Sequence, residues 1–351
     1  MSSIKDVAKK AGVSISTVSH VLNNTKYVSD DLKRKVNITI KELGYEVDIV
    51  ARSMKSNETK KIGIIVDDMC GLFYPYIIRA ICTVAEAAGY NAIICDSRSN
   101  IDREKKSLKD LVSSRVDGII ISSSISTEYA SMYVHELKEL TSNKKQIPLV
   151  SIERNFSEWG IDSVFTDMEE GGYKATQHLI DIGCKKIGHI TGPTVASVVQ
   201  DRIRGYKRAL EANGYPVKDD NFAFGDYSHV SGYIAMKELM HKNPYLDGVF
   251  IANDQMAIGA CNALKELGKN IPNDIKVIGF DDVFVSSIVD PPLSTVHIQK
   301  EHIGLESINI LLDQIKNGPH VPAKRVELPN HIVVRKSTDI NAASDWILSN
   351  W

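Results

Sequence analysis

Short, continuous apolar runs recur along this chain at a spacing that a parallel sheet requires. From residue 61 on, the runs 62–66, 91–95, 118–122 and 149–152 are apolar and mostly β-branched. Between them lie longer stretches with helical periodicity, around 76–88, 103–113 and 128–140. A strand that is apolar on both faces is buried on both faces, and the intervening helices supply the covers. The pattern then restarts. Runs 187–191, 248–251 and 276–280 alternate with helical stretches near 173–182, 202–213, 233–241 and 255–267. The expected body is therefore α/β, built of two doubly wound parallel units of about one domain each.

In such sheets ligands bind beyond the carboxyl ends of the strands. Those ends are polar here. Asp67-Asp68, Asp96-Ser97-Arg98, Glu153-Arg154, Asn253-Asp254 and Asp281-Asp282 each follow an apolar run. Carboxylates, an amide and guanidinium groups facing one cleft can exchange hydrogen bonds with vicinal hydroxyls. Phe73 and Tyr227 can cover an apolar ring face. Strand-end solvation and helix capping alone account for about half of such acids. Asp254 and Asp282 are assigned to that class.

The first 45 residues read differently. Residues 4–11 form a short helix with Ile4, Val7, Ala8 and Ala11 on one face, stopped by Gly12. Ser14 or Ser16 caps a second helix that runs to about Asn23 and buries Val18, Val21 and Leu22. A third begins at Ser29, carries Leu32, Val36, Ile40 and Leu43 at helical spacing, and ends at Gly44. The small residues Ala8 and Gly12 let the first two helices cross closely, as in a helix-turn-helix. The outer face of the second helix holds Ser16, Thr17, Ser19, His20 and Asn23, short side chains suited to phosphates and base edges. A solvated helix face is the plainer reading of the same residues.

Charge points the same way without deciding it. Residues 1–60 hold 11 Lys and Arg against 7 Asp and Glu, while the 351-residue chain as a whole has a net charge of −2. A basic head on an acidic body suits a polyanionic partner for the head alone. Other classes lack their signatures. The five cysteines never form a CxxC, and no P-loop, GxGxxG, GxSxG or HExxH occurs. No apolar stretch is long enough to span a membrane, and residues 1–10 contain no secretory core. The expectation is a cytoplasmic protein that is not an enzyme and needs no cofactor, metal or membrane.

IKDVAKKAGVSISTVSHVLN, from Ile4 to Asn23, resembles the signature of the LacI/GalR family of bacterial transcription regulators. Val50-Ala51-Arg52-Ser53-Met54-Lys55 resembles that family's hinge helix, and the resemblance continues to about Thr338. It implies a helix-turn-helix headpiece over 1–46, a hinge helix and linker over 47–60, and a periplasmic-binding-protein-like core over 61–338. That core is expected to split into an N-subdomain (61–158 and 292–321) and a C-subdomain (159–291 and 322–338), with a tail over 339–351. The tail is too short for a tetramer-forming coiled coil, so a homodimer is expected.

The resemblance also implies roles for particular residues. Ile15, Ser16 and His20 would choose the operator sequence, and Thr17 and Ser19 would position the backbone. Met54 would wedge into the minor groove of a pseudo-palindromic double-stranded DNA site, Ala51 would let two hinges pack, and Lys55 would contact the groove edge. FIANDQMAIGA, VIGFDD, DRIRGY and GDYSHVSGY place Asn253, Asp281, Arg202 and Tyr227 in an effector pocket, joined by Asp67, Phe73, Arg98 and Glu153. Ile298 stands where many relatives have Gln, so either Gln299 takes that contact or the ligand is less polar there. The implied function is a repressor of a carbohydrate operon released by a sugar. The alternative is a regulator that binds DNA more tightly with a purine or a phosphoprotein partner.

If Met54 is the wedge, Met54→Gly weakens operator binding and reduces DNA bending. Equal affinity and equal bend in gel-shift assays contradict that role.

Overall fold

The computed structural model describes residues 2–23, 26–45, 58–142, 146–193 and 197–343, apart from the Asn23 side chain. Two compact units emerge, 1–59 and 60–351. Among the described residues no helix is long and apolar enough to cross a membrane, and no group of three or more His, Cys, Asp or Glu is placed to hold a metal ion.

The first unit is three helices: α1 (Ile4–Ala11), α2 (Ile15–Asn23) and α3 (Asp30–Leu43). Ser3 and Asp6 form a reciprocal capping box at the start of α1, and Gly12 ends it at φ 63°, a left-handed conformation that glycine adopts without strain. Ser14, rather than Ser16, caps α2: its Oγ accepts from the Thr17 amide at 3.0 Å. Val7, Ala8, Ala11, Val18 and Val36 close a small core. Leu32 departs from the expected stripe and is exposed. The buried α3 residues are Val36 and Thr39, whose hydroxyl donates to the Lys35 carbonyl.

In the second unit the chain runs β1 (Lys61–Val66), α4 (Tyr74–Ala87), β2 (Asn91–Asp96), α5 (Ile101–Ser113), β3 (Gly118–Ser122), α6 (Ala130–Ser142), β4 (Leu149–Ile152) and β5 (Asp162–Phe165). A second half repeats this order as α7 (Met168–Asp181), β6 (Ile187–Thr191), α8 (Ser197–Ala212), β7 (Phe222–Phe224), α9 (His229–Lys242), β8 (Gly248–Ile251), α10 (Asp254–Glu266), β9 (Lys276–Asp281), the short α11 (Val285–Ile288) and β10 (Ser294–His297). Then come α12 (Lys300–Asn317), β11 (Arg325–Glu327) and β12 (His331–Val333).

The two sheets have matching orders, β11-β5-β4-β3-β1-β2 and β12-β10-β9-β8-β6-β7. Every pairing is parallel except β10 with β12. Ile62, Ile64, Ile120 and Val150 from the first sheet and Ile187, Phe250, Ile278 and Val296 from the second are buried in the core.

Sheet membership moves the expected subdomain limits. Asp162–Phe165 lies in the first sheet, so the first half extends past residue 158. Ser294–His297 lies in the second sheet, so the return to the first half begins after 297 rather than at 292. Of the stretch 322–338, expected in the C-subdomain, Arg325–Glu327 stays on the first sheet and His331–Val333 joins the second. These three strands are short and mix polar with apolar residues, so pairing rather than an apolar run defines them.

The chain thus passes between halves three times, near residues 166, 298 and 329. Hydrogen bonds tie these passages together. Asn330 Nδ2 donates to the Asp167 carbonyl at 2.9 Å, and Gln299 Nε2 donates to the Pro329 carbonyl at 3.1 Å.

Helices α7 and α8 pack backbone to backbone. A Cβ on Gly205 would stand 2.0 Å from the Glu169 carbonyl oxygen, and one on Gly172 would stand 2.5 Å from the Arg202 carbonyl oxygen. Gly205→Ala is therefore expected to cost about 1–3 kcal/mol of stability by overpacking. Urea unfolding of the two proteins measures this, and an unchanged midpoint contradicts the close approach.

Candidate functional site

The carboxyl ends of both sheets face one cleft. Its empty volume is about 980 Å³, open mouth included. Seven of the eight expected pocket residues line it: Asp67, Phe73, Glu153, Arg202, Tyr227, Asn253 and Asp281. Arg98 does not. Its side chain is 70% exposed and pairs with Asp96 at 3.3 Å, and the neighbouring Ser99 takes its place in the wall. The residue sits at φ 52°, and that turn presents Ser99 rather than Arg98 to the cleft.

Each side chain is held by its element. Asn253 caps α10, its Oδ1 accepting from the Met256 amide at 2.8 Å, and its Nδ2 donates to the Tyr227 carbonyl at 3.2 Å. The Ser97 hydroxyl donates to Asp67 at 3.1 Å. The Tyr74 and Ser122 hydroxyls both donate to Glu153. Glu153, Tyr227 and Asp281 have φ of 63°, 72° and 103°. Such strain in non-glycine residues is kept where the surroundings impose it, and it concentrates at binding sites.

Arg202 is 4% exposed. It lies 4.0 Å over the Phe280 ring, and its Nη1 donates to the Ala252 carbonyl at 2.7 Å. Its Nη2 stands 3.6 Å from Asp281 Oδ1. Arg202 Nε and Asp281 Oδ1 are both buried without a hydrogen-bond partner among the described residues.

Two of the cleft carboxyls, Asp67 and Asp281, resist ionisation. Burial, then the charges of Glu153 and Glu104, push Asp67 up to about 8. Burial raises Asp281 to about 6 against the pull of Arg202 and Lys300. Groups poised in this way can donate to a ligand as well as accept from it.

Several lining residues were not singled out from the sequence. The run Ser122-Ser123-Ser124 lines the cleft, as do Tyr74, Val198 and Gln255. Three hydroxyls directly after a buried strand were the available signal for the serines. Ile298 and Gln299 are absent from the wall. Ile298 is buried in the core, and Gln299 serves the chain passage described above. Asp254 is not a solvated strand end. It is buried and accepts from the Thr295 hydroxyl at 2.6 Å and the Val283 amide at 2.9 Å. Asp282 is likewise internal, accepting from Arg335 at 2.8 Å and from the His297 ring.

In the first unit, the expected base-reading residues occupy α2. Ile15 is 43% exposed, Ser16 is exposed, and Thr17, Ser19 and His20 are half-buried. The Ser14 hydroxyl lies 2.7 Å from that of Ser16 and 2.8 Å from that of Thr17. The exposed start of α2 therefore offers hydroxyls beside one apolar side chain. Ala51, Met54 and Lys55 lie outside the described residues.

Comparison with known proteins follows this division. Residues 3–48 match the model of bacterial regulatory proteins of the lacI family, and residues 176–338 match a periplasmic binding protein-like domain. The HTH-type transcriptional repressor PurR of Pasteurella multocida (strain Pm70) is 35% identical over 342 residues, 96% of this chain and 98% of that protein. The repressor of the same name from Photorhabdus laumondii is 36% identical over 96% of this chain and 97% of its own. Among solved structures, the lac repressor dimer bound to operator and the anti-inducer ONPF has 28% identity and a TM-score of 0.86, covering 96% of this chain and 99% of its own. A transcriptional regulator CelR–cellobiose complex has 29% identity and a TM-score of 0.70, covering 96% and 100%.

The raised carboxyls imply a pH dependence. Between the unfolded value of 3.8 and its folded value of about 8, Asp67 keeps a proton that the unfolded chain has lost. Stability supplied by that proton is present at low pH and declines as pH rises through the window. The ligand-free protein should therefore melt at falling temperature from about pH 5 to about pH 8. Asp67→Asn cannot ionise and should flatten the decline. Parallel calorimetric profiles for the two proteins contradict the shift.

Proposed function

The chain belongs to the LacI family of bacterial regulatory proteins and is a DNA-binding transcriptional repressor; from that premise we propose that a neutral sugar in the cleft releases it from its operator. One observation carries the ligand class. Asp67, Glu153, Asp281 and Arg202 meet in one cleft, and Arg202 Nε and Asp281 Oδ1 are buried there without hydrogen-bond partners among the described residues. Buried polar groups strongly favour a ligand that satisfies them. Vicinal hydroxyls do so in both directions, donating to carboxylates and accepting from the guanidinium. Phe73 and Tyr227 supply the apolar wall that covers a sugar ring. The wall offers a phosphorylated ligand a single guanidinium, Arg202, which already stands beside Asp281, so the charge of a phosphate would be poorly balanced there.

A purine that tightens DNA binding is the second reading. It is favoured by the PurR repressors at 35–36% identity, and the N–H groups of a purine could also donate to these carboxylates. The two readings differ in ligand class and in the sign of the effect on DNA binding.

The mechanism proposed is a shift between two arrangements. The operator is held by a homodimer, each α2 placing Ile15, Ser16 and His20 against base edges while Thr17 and Ser19 fix the backbone. Met54, with Ala51 and Lys55 beside it, wedges the centre of the site. Ligand spans both halves of the cleft and favours one arrangement of them. That arrangement sets the separation of the two hinges across the dimer and so the packing on which the wedge depends. A coupling of about 1–3 kcal/mol per site is typical of such switches.

A thermal-shift panel of sugars, sugar phosphates and purines tests the reading, since a ligand of the folded state raises the melting temperature. Neutral sugars should stabilise the protein, and Arg202→Ala should lose that stabilisation while still binding operator DNA without ligand. Stabilisation by purines alone contradicts the sugar reading. A variant that loses operator binding as well assigns Arg202 to folding.

A further inference from the structure

His320 is gripped by two acids at the amino end of the first sheet. It lies in the loop 318–324 that returns the chain from α12 to β11. Its Nδ1 contacts Asp162 Oδ2, and its Nε2 stands 2.7 Å from Asp313 Oδ2. Asp162 is the first residue of β5 and is 1% exposed, while Asp313 stands near the end of α12. Asp162 also accepts from Gln314 Nε2 and from the Lys324 amide, each at 2.7 Å. Asp313 also accepts from Asn317 Nδ2 at 2.6 Å and from Lys324 Nζ at 3.3 Å. The cluster binds α12, the return loop and the β5–β11 pair at one point. At the other end of α12, Lys300 reaches the carbonyls of Asp281 and Asp282 in the second half. The helix is therefore a strut fastened at both ends, to the pocket strand β9 and to the first sheet.

This geometry sets the charge of the ring. A neutral imidazole has one N–H and one lone pair, and only the imidazolium donates from both nitrogens. With a carboxylate on each side, a neutral ring would turn its lone pair against an acceptor. The charged groups that face the ring are Asp162 from β5, Asp313 from α12 and Lys324 from the loop. Burial opposes the charged form, but the hydrogen bonds to Asp313 and then Asp162 outweigh it and raise the ring above its ordinary 6.5. The bond from His320, with those from Asn317 and Lys324, holds Asp313 down at about 2 and so keeps it ionised.

We infer that His320 is a proton-operated clamp on α12: the charged ring binds both carboxylates and ties the helix end to the first sheet, and the neutral ring keeps the buried Asp162 and releases Asp313. Asp313 can be released because it is the more exposed acid and retains Asn317 and Lys324. Stability supplied by the clamp is complete below the ring's ordinary value of 6.5 and is lost as pH rises through its raised value. The strut is firm in mild acid and slackens in alkali, and with it the tie between the pocket strand and the first sheet. Nothing in the clamp depends on which ligand the cleft takes.

Two measurements on the full-length protein test this. In NMR of histidine-labelled protein, the His320 ring, assigned by its loss in His320→Gln, should titrate above 6.5. Asp313→Asn leaves the ring a single acid and should bring its titration back toward that value. In hydrogen exchange, corrected for the intrinsic rate at each pH, the amides of 314–324 should lose protection by about tenfold or more from about pH 6 to about pH 9, beyond any loss in Gly118–Ser122. His320→Gln cannot titrate and should abolish that extra loss. Titration of the ring at or below 6.5 overturns the clamp. So does an exchange profile of 314–324 that His320→Gln leaves unchanged, or a ring titration that Asp313→Asn leaves in place.

Discussion

Burial of one guanidinium organises the cleft. A charge taken out of water must be compensated by partners, or it costs several kcal/mol. Arg202 has the Phe280 face, the Ala252 carbonyl and Asp281 close by, but Asp281 stands at 3.6 Å and the Nε is unpartnered among the described residues. The compensation is therefore partial within the protein. A ligand hydroxyl reaching both groups would complete it, which is the physical ground for the proposed sugar. The helix that carries Arg202 is held close to its neighbour by glycines, since Gly172 and Gly205 bring α7 and α8 into backbone contact, while Val199, Ile203 and Tyr206 pack into the core.

The cleft is also mechanically connected. Lys300 is the first residue of α12, which packs on α4 in the first half, yet its ammonium donates to the carbonyls of Asp281 and Asp282 in the second. The pocket carboxyl and the passage between halves thus share one buried junction. The neighbouring passages are joined through Asn330 and Gln299. A ligand that fixes Asp281 acts on a set of strands already bound to one another, and two packed bodies joined in this way shift between arrangements rather than deform smoothly.

Much of this was legible in the sequence where a single physical rule dominates. Gly118–Ser122, Leu149–Ile152, Ile187–Thr191 and Gly248–Ile251 are strands at the expected residues, because burial on both faces favours short, predominantly apolar runs. The α1 limits and its capping glycine were legible for similarly local reasons. The strands Asp162–Phe165, Ser294–His297 and Arg325–Glu327 were not, since each is short and its sheet is chosen by pairing with distant residues. In the site, strand ends located Asp67, Glu153, Asn253 and Asp281. They could not separate Arg98, which turns outward, from Ser99, which lines the cavity, because a left-handed turn through both residues decides that. Asp254 and Asp282 looked like solvated ends and prove to be internal, as their partners Thr295, Arg335 and His297 lie far along the chain.

The proposed switch stands or falls with the sign of the linkage between cleft and operator. Fluorescence anisotropy measures it directly, at fixed salt, on a duplex selected by the protein from a random pool. The titration is run alone, with a saturating neutral sugar identified by its stabilising effect, and with a purine. The sugar should weaken operator binding by tenfold or more, and the purine should leave it unaltered. Tighter binding with the purine, or operator affinity indifferent to a sugar that demonstrably occupies the cleft, contradicts the switch.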